Sequence, residues 1–141
     1  MTSSGVEVVA SPCVNATAPF TNDRYDEEPY GEAEHVEASR VHISRTFSGD
    51  LEGESTAELL LAKSEGGGGY VGHDLVTGNL QGRYGGFVLQ HTGLMGADGV
   101  TNTGVIVPGS GVGDLEGITG EGRMLADEEG NHTLTLAYEL P

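Results

Sequence analysis

From residue 36 to the C-terminus, apolar side chains fall on every second position of short runs, and most of the breaks between runs carry glycine. Val41, Ile43 and Phe47 alternate with His42, Ser44 and Thr46. Ala57, Leu59 and Leu61 alternate with Glu54, Thr56, Glu58 and Leu60. Phe87, Leu89 and His91 alternate with Val88, Gln90 and Thr92, and Leu134, Leu136 and Tyr138 with Thr133, Thr135 and Ala137. Tyr70-Val71 and Leu75-Val76 lie in a run that ends at Gly78, and Val105-Ile106-Val107 stops at Pro108. A period of two places successive side chains on opposite faces of a strand, whereas a helix would repeat every three to four residues. Several such runs with no helical pattern predict antiparallel strands closed into a barrel or stacked as a sandwich.

The glycines support this reading. The chain has 24, and all but Gly5, Gly31 and Gly130 fall between Gly49 and Gly122. Glycine within or beside strands marks bulges, bends and close backbone approach, which a small closed barrel needs at its corners. Before this region the pattern differs. Residues 1–15 read as a flexible arm rich in small and polar side chains, in which Val6 to Ala10 are β-prone, ahead of one β domain over residues 16–141. Residues 22–34 hold many acids, with Pro29 and Gly31 opposing a long helix, and read as a solvated loop.

Charge and cysteine exclude whole classes of function. Twenty-two Asp and Glu against 6 Lys and Arg give a formal charge of −16, and that field repels nucleic acid and anionic membrane surfaces. No run approaches the roughly 20 apolar residues of a membrane helix, and the N-terminus carries no visible secretion signal. The expected location is the cytoplasm. The single cysteine, Cys13, leaves no internal disulfide and no cysteine-based zinc site. The five histidines show no recognised ligand spacing, so neither a metal nor another cofactor is expected.

Five segments in order resemble a bacterial domain family of unknown function. They are Tyr25-Asp-Glu-Glu-Pro-Tyr30, Thr46-Phe-Ser-Gly-Asp-Leu-Glu-Gly-Glu54, Tyr70-Val-Gly72, Gly86-Phe-Val-Leu-Gln-His91 and Pro108-Gly-Ser-Gly-Val-Gly-Asp-Leu-Glu-Gly117. The resemblance runs from about residue 16 to the C-terminus. It implies an all-β, eight-stranded antiparallel barrel of the allene oxide cyclase type, with room for a small molecule in its lumen. Relatives of that barrel include plant allene oxide cyclases, dirigent proteins and bacterial spirotetronate cyclases, which guide ring closure or coupling of reactive small molecules. Fold-level likeness alone does not carry an activity. The resemblance also implies a homo-oligomer, a dimer or trimer. The chain departs from the family pattern at Tyr25, where a Trp is usual, and at Gly104, where a bulky residue is usual. If Gly104 faces the lumen, the missing side chain would enlarge it; if it faces outward, the change says little.

The candidate chemistry follows from residue type and face. Glu54 and Glu58 share a face with Thr56. They form either a solvent face beside the apolar Ala57, Leu59 and Leu61, or a pair of lumenal carboxylates whose burial would raise their pKa into the range of a general acid or base. His91 shares a face with Phe87 and Leu89, as a structural histidine or as a proton shuttle. Tyr70, Tyr84 and Tyr138 could wall a pocket or simply pack, and Tyr25 and Tyr30 could form a lid. The Gly109-Ser110-Gly111-Val112-Gly113 loop lacks the lysine and following helix of a phosphate loop, and a strand-connecting turn accounts for it better. The expectation is therefore a cofactor-independent cyclase or isomerase acting on a small, largely apolar oxygenated metabolite. Glu58, His91 and Tyr70 would be catalytic, and Glu54, Gln90, Tyr25, Phe87, Gly104 and Tyr138 would hold the ligand. The alternatives are a non-catalytic carrier of a small hydrophobic ligand and a fully packed structural barrel.

Overall fold

A computed structural model describes residues 13–141. The segment read as an arm therefore lies outside the described residues, apart from Cys13, Val14 and Asn15, and the last two already belong to a strand. Nine strands follow in order: β1 (Val14–Ala33), β2 (Val36–Phe47), β3 (Leu51–Ser64), β4 (Gly67–Leu80), β5 (Arg83–Gly96), β6 (Gly99–Ile106), β7 (Val112–Gly113), β8 (Thr119–Ala126) and β9 (His132–Glu139). All pairings are antiparallel, and no helix occurs among the described residues. β1 through β6 pair consecutively. β6 pairs β8, β8 pairs β9, and β9 returns to β1, so that eight strands form a closed circuit, while the two-residue β7 lies beside β5. The thinnest link is β6–β8, which has only the pairs Gly104–Gly122 and Val105–Glu121.

The acidic stretch read as a loop is instead the second half of β1, paired with β2 as far as Ala33–Val36. Two register irregularities, at Asn22/Arg24 and at Pro29/Gly31, make this possible. The second relieves the ladder at Pro29, which has no N–H to give. The first re-aims the strand, bringing Tyr25 and Glu27 opposite the inward Ile43 and Val41.

The period-two pattern sorts inside from outside as expected. Ala57 is buried while Glu54, Thr56 and Glu58 are exposed, and Ile106 is buried while Val105 is half exposed. The inward side chains form two groups. One end of the circuit is filled by Phe47, Leu51, Leu80, Phe87, Ile106 and Leu134 with their neighbours, and the connection between β6 and β8 folds in and adds Leu115 and Ile118. Toward the other end there is only a small cluster of Val41, Ile43 and Ala57, flanked by the half-buried Leu59 and Leu61.

Gly104 does face inward, but it does not enlarge a cavity. A Cβ there would stand 2.7 Å from the backbone oxygen of Gly122 and 3.3 Å from Leu89 Cδ1. The missing side chain lets β6 and β8 approach, and the space beyond is already occupied.

Candidate functional site

Toward the less filled end of the circuit, the inward faces enclose a cavity of about 420 Å³. Its walls are mostly apolar: Val41 and Ile43 from β2, Leu59 and Leu61 from β3, Met95 from β5 and Met124 from β8. Phe20, Tyr25, Tyr70 and His132 add rings, and Arg45, Asn22 and His91 supply polar groups. Met95 and Tyr25 are 39% and 54% exposed, so the space communicates with solvent at this end.

Behind the cavity wall lies a buried polar network that alternation brings together from four strands. Arg45 on β2, Ser55 on β3, Asp74 on β4 and His91 on β5 all point inward and are nearly inaccessible. Asp74, fully buried, is the hub. Arg45 Nε donates to its Oδ1 at 2.9 Å, Ser55 Oγ donates to the same oxygen at 2.8 Å, and His91 Nε2 lies 2.6 Å from Oδ2. Arg45 also donates to Asn22 Oδ1 at 2.9 Å, and its guanidinium lies 5.3 Å from the centroid of the Phe20 ring.

Burial is the largest single influence on Asp74 and by itself would raise its pKa. The His91 hydrogen bond and the Arg45 charge together outweigh it and hold the carboxyl below its ordinary value of 3.8. Asp74 is thus an acceptor only, so His91 Nε2 carries the proton it donates. This fixes the histidine's orientation. Nδ1 makes no hydrogen bond among the described residues and is not sealed from solvent, and His91 lines the cavity. A carboxylate that orients one nitrogen of an imidazole and leaves the other free is the arrangement of a positioned general base.

Tyr70 packs edge-on against His91, with ring centroids 5.5 Å apart. Its strand partner is Gly93, and a Cβ there would lie 2.2 Å from Tyr70 Cε1 and 2.9 Å from its hydroxyl. The absent side chain lets the phenol lie across β5, over the inward position that follows His91. Burial raises the Tyr70 pKa above its ordinary 10.0, with the Arg45 charge opposing, so its hydroxyl stays protonated and able to donate.

Of the residues singled out from sequence, His91, Tyr70 and Tyr25 meet at this cavity. The others lie elsewhere. Glu58 is exposed on the outer face and pairs with His42 at 2.5 Å, because His91 shares its register with Gly72 and faces the opposite way. The Glu58–His91 pair expected for acid–base work is therefore not formed. Glu54 is exposed as well, and Gln90 faces outward, where its Oε1 lies 3.0 Å from His73 Nε2. Phe87 and Tyr138 are core residues at the filled end, where the Tyr138 hydroxyl donates to Gln81 Oε1. Gly104 sits at the β6–β8 link, and Tyr84 and Tyr30 are exposed. The Ser110 hydroxyl accepts from the Val88 N–H at 3.0 Å, as a strand-connecting turn would have it.

The residues that sequence reasoning missed are Asp74 and Arg45. Both had a signal: each falls on the apolar face of its own run, Arg45 between Ile43 and Phe47 and Asp74 two positions before Val76. A charged group on a buried face implies an opposite charge on the neighbouring buried face. Among the described residues, no group of three or more His, Cys, Asp or Glu could hold a metal ion.

The comparisons with known proteins agree with the fold and leave the chemistry open. No functionally curated protein matches the chain. A crystal structure of a protein with unknown function from the DUF3224 family, from Shewanella oneidensis MR-1, is 30% identical in sequence. It aligns over 92% of this chain and 98% of its own, with a TM-score of 0.80. The family model described as "Protein of unknown function (DUF3224)" matches residues 16–138. On both grounds the chain belongs to the DUF3224 family.

Proposed function

We propose that the closed circuit of strands is a barrel of the allene oxide cyclase type, and that the chain is a cofactor-independent cyclase or isomerase of a small, largely apolar oxygenated metabolite. The observation that carries this is His91: its Nε2 is committed to Asp74 while its ring lines an apolar cavity. A buried carboxylate is costly unless paired. Arg45 reaches both oxygens, Oδ1 at 2.9 Å and Oδ2 at 3.5 Å, yet the shorter bond to Oδ2 is that of a histidine at the cavity wall. The apolar walls would exclude water and hold one reactive conformer, and a positioned base contributes about 10²- to 10⁴-fold to a proton transfer.

The same walls would suit a carrier, and the two readings separate on Asp74. In an enzyme, Asp74→Asn would keep ligand affinity and lose turnover, because the imidazole would no longer be held with Nδ1 free. In a carrier, no conversion would occur in either protein. The test is to incubate the protein with a panel of uncharged epoxides and enones and to follow products by mass spectrometry. Turnover by the wild type that is lost in His91→Ala supports the enzyme; binding without turnover by the wild type refutes it. Self-association remains part of the proposal, and light scattering at micromolar concentration and moderate salt checks it. A monomer under those conditions would count against it.

A further inference from the structure

The catalytic reading above fixes neither the charge of the ligand nor the bond that reacts, and two independent features bear on them. The first is the cavity mouth. Four hairpin turns lie at this end of the circuit: Glu34-His35, Glu65-Gly66, Ala97-Asp98 and 127–131. Each carries at least one acid, and none carries a lysine or arginine. Lys63, the one lysine at the cavity, is already engaged by Glu27 at 2.8 Å and Glu37 at 3.7 Å. An anionic ligand would meet this ring of carboxylates on the way in. Inside, the Arg45 and Asp74 charges cancel each other, so neither a buried anion nor a buried cation would find a free partner. An uncharged ligand alone enters without an electrostatic cost.

The second feature is the spacing of two of the polar groups at the cavity, the His91 imidazole and the Tyr70 hydroxyl. His91 and the Tyr70 hydroxyl lie over successive inward positions of β5, because the phenol covers Gly93. The two rings lie 5.5 Å apart, centroid to centroid. A carbonyl oxygen and the carbon next to it, each within about 3 Å of its partner, fit that span.

We propose that the cavity takes an uncharged, enolisable carbonyl compound, with His91 Nδ1 removing a proton from the carbon beside the carbonyl while the Tyr70 hydroxyl donates to the carbonyl oxygen. The C–H electron pair becomes the carbon–carbon double bond of the enolate, and the carbonyl π pair moves to the oxygen held by Tyr70. The imidazolium formed at His91 keeps its Nε2–H on Asp74, and its new charge is balanced by the enolate formed beside it. Return of the proton to the same carbon, or to a conjugated one, restores the base and completes an exchange or an isomerisation. No oxidant or reductant is needed.

The test uses 2-octanone and 7-oxooctanoate, two ketones of equal length that differ in a terminal methyl or carboxylate. Exchange of the protons beside the carbonyl into D₂O is followed by NMR, and binding is read from the methyl signals of the cavity residues Met95 and Met124. The wild type should accelerate exchange in 2-octanone roughly 100-fold over buffer, and far less in 7-oxooctanoate. His91→Ala should abolish the acceleration. Tyr70→Phe should reduce it about tenfold or more with 2-octanone binding retained. Equal acceleration of the two ketones would overturn the charge selectivity. Binding of 2-octanone without exchange would overturn the enolisation step and leave the cavity as a ligand site. If neither ketone moves the Met95 and Met124 signals, the cavity is not a ligand site at all, and the broader proposal falls with it.

Discussion

The two ends of the strand circuit are built from the same strands and have opposite interiors. At one end Leu115 and Ile118, both 1% exposed, fold in from the connection between β6 and β8 and complete a continuous apolar core. At the other end every connection is a short hairpin turn that reaches no further inward, and the inward side chains leave a cavity. The difference therefore comes from one long connection rather than from the strands. Each end also stabilises itself differently. The filled end relies on area removed from water. Beside the cavity the middle of the circuit is held by Arg45, Asp74, Ser55 and His91, whose stability depends on complete pairing.

The sharpest way to break this contrast is to unpair the network. Asp74→Ala leaves Arg45 buried without its partner and should cost about 3–5 kcal/mol in urea unfolding. Replacing both by apolar residues, Arg45→Met with Asp74→Leu, should recover most of that loss. A double variant as unstable as the single one would show that the charges are not the cause. Acid should act in the same direction. The folded-state pKa of Asp74 lies below 3.8, so its contribution is fully present above that value and is lost as pH falls through the lower, folded one. Unfolding monitored between pH 5 and about 2 should show a slope that is shallower in the apolar double variant, which keeps the lowered carboxyls of Asp23, Glu27 and Asp127.

On the filled end, Leu115→Ala should cost about 2–5 kcal/mol, whereas Leu61→Ala at the half-buried cavity wall should cost under about 1 kcal/mol. Equal losses would mean that the cavity end is packed as tightly as the core. Gly104→Val probes the link between β6 and β8. With 2.7 Å between the new Cβ and the Gly122 oxygen, a loss of about 1–3 kcal/mol is expected, and hydrogen exchange should localise it to β6 and β8. The smallest effect belongs to Tyr138→Phe, which removes one hydrogen bond to Gln81 at the filled end and should cost about 1 kcal/mol in thermal unfolding.

Strand identity and alternation were legible from residue 36 onward, because a period of two survives whatever the neighbours are, but which face turns inward was not. The second half of β1 was not. Its acids, Pro29 and Gly31 read locally as a loop, and only pairing with β2 through two irregularities makes them a strand. His91 and Tyr70 were legible as candidates, since each is a chemically capable residue in a β-prone run. Their partner was not: Glu58 lies on a run with clear alternation, whereas Asp74 lies in mid-strand between Gly72 and Gly78, where few side chains mark the inward face. Register decides the matter, and register between β4 and β5 is set by their tight turn at residues 81–82 rather than by either residue.

The pairing of β1 with β9 has a consequence for how the chain comes to be folded. Val14 meets Tyr138, and Phe20 meets His132, so the circuit joins nearly the first and last described residues. During synthesis Val14–Phe20 must wait, with one edge open, until β9 has emerged. Such an edge invites pairing with a neighbouring nascent chain. That edge, Val14–Phe20, carries no acid; the acids of β1 begin just beyond it, at Asp23. Charge beside an open strand edge discourages pairing with a sibling chain that carries the same charge, so these acids bear on the growing chain as well as on the finished one.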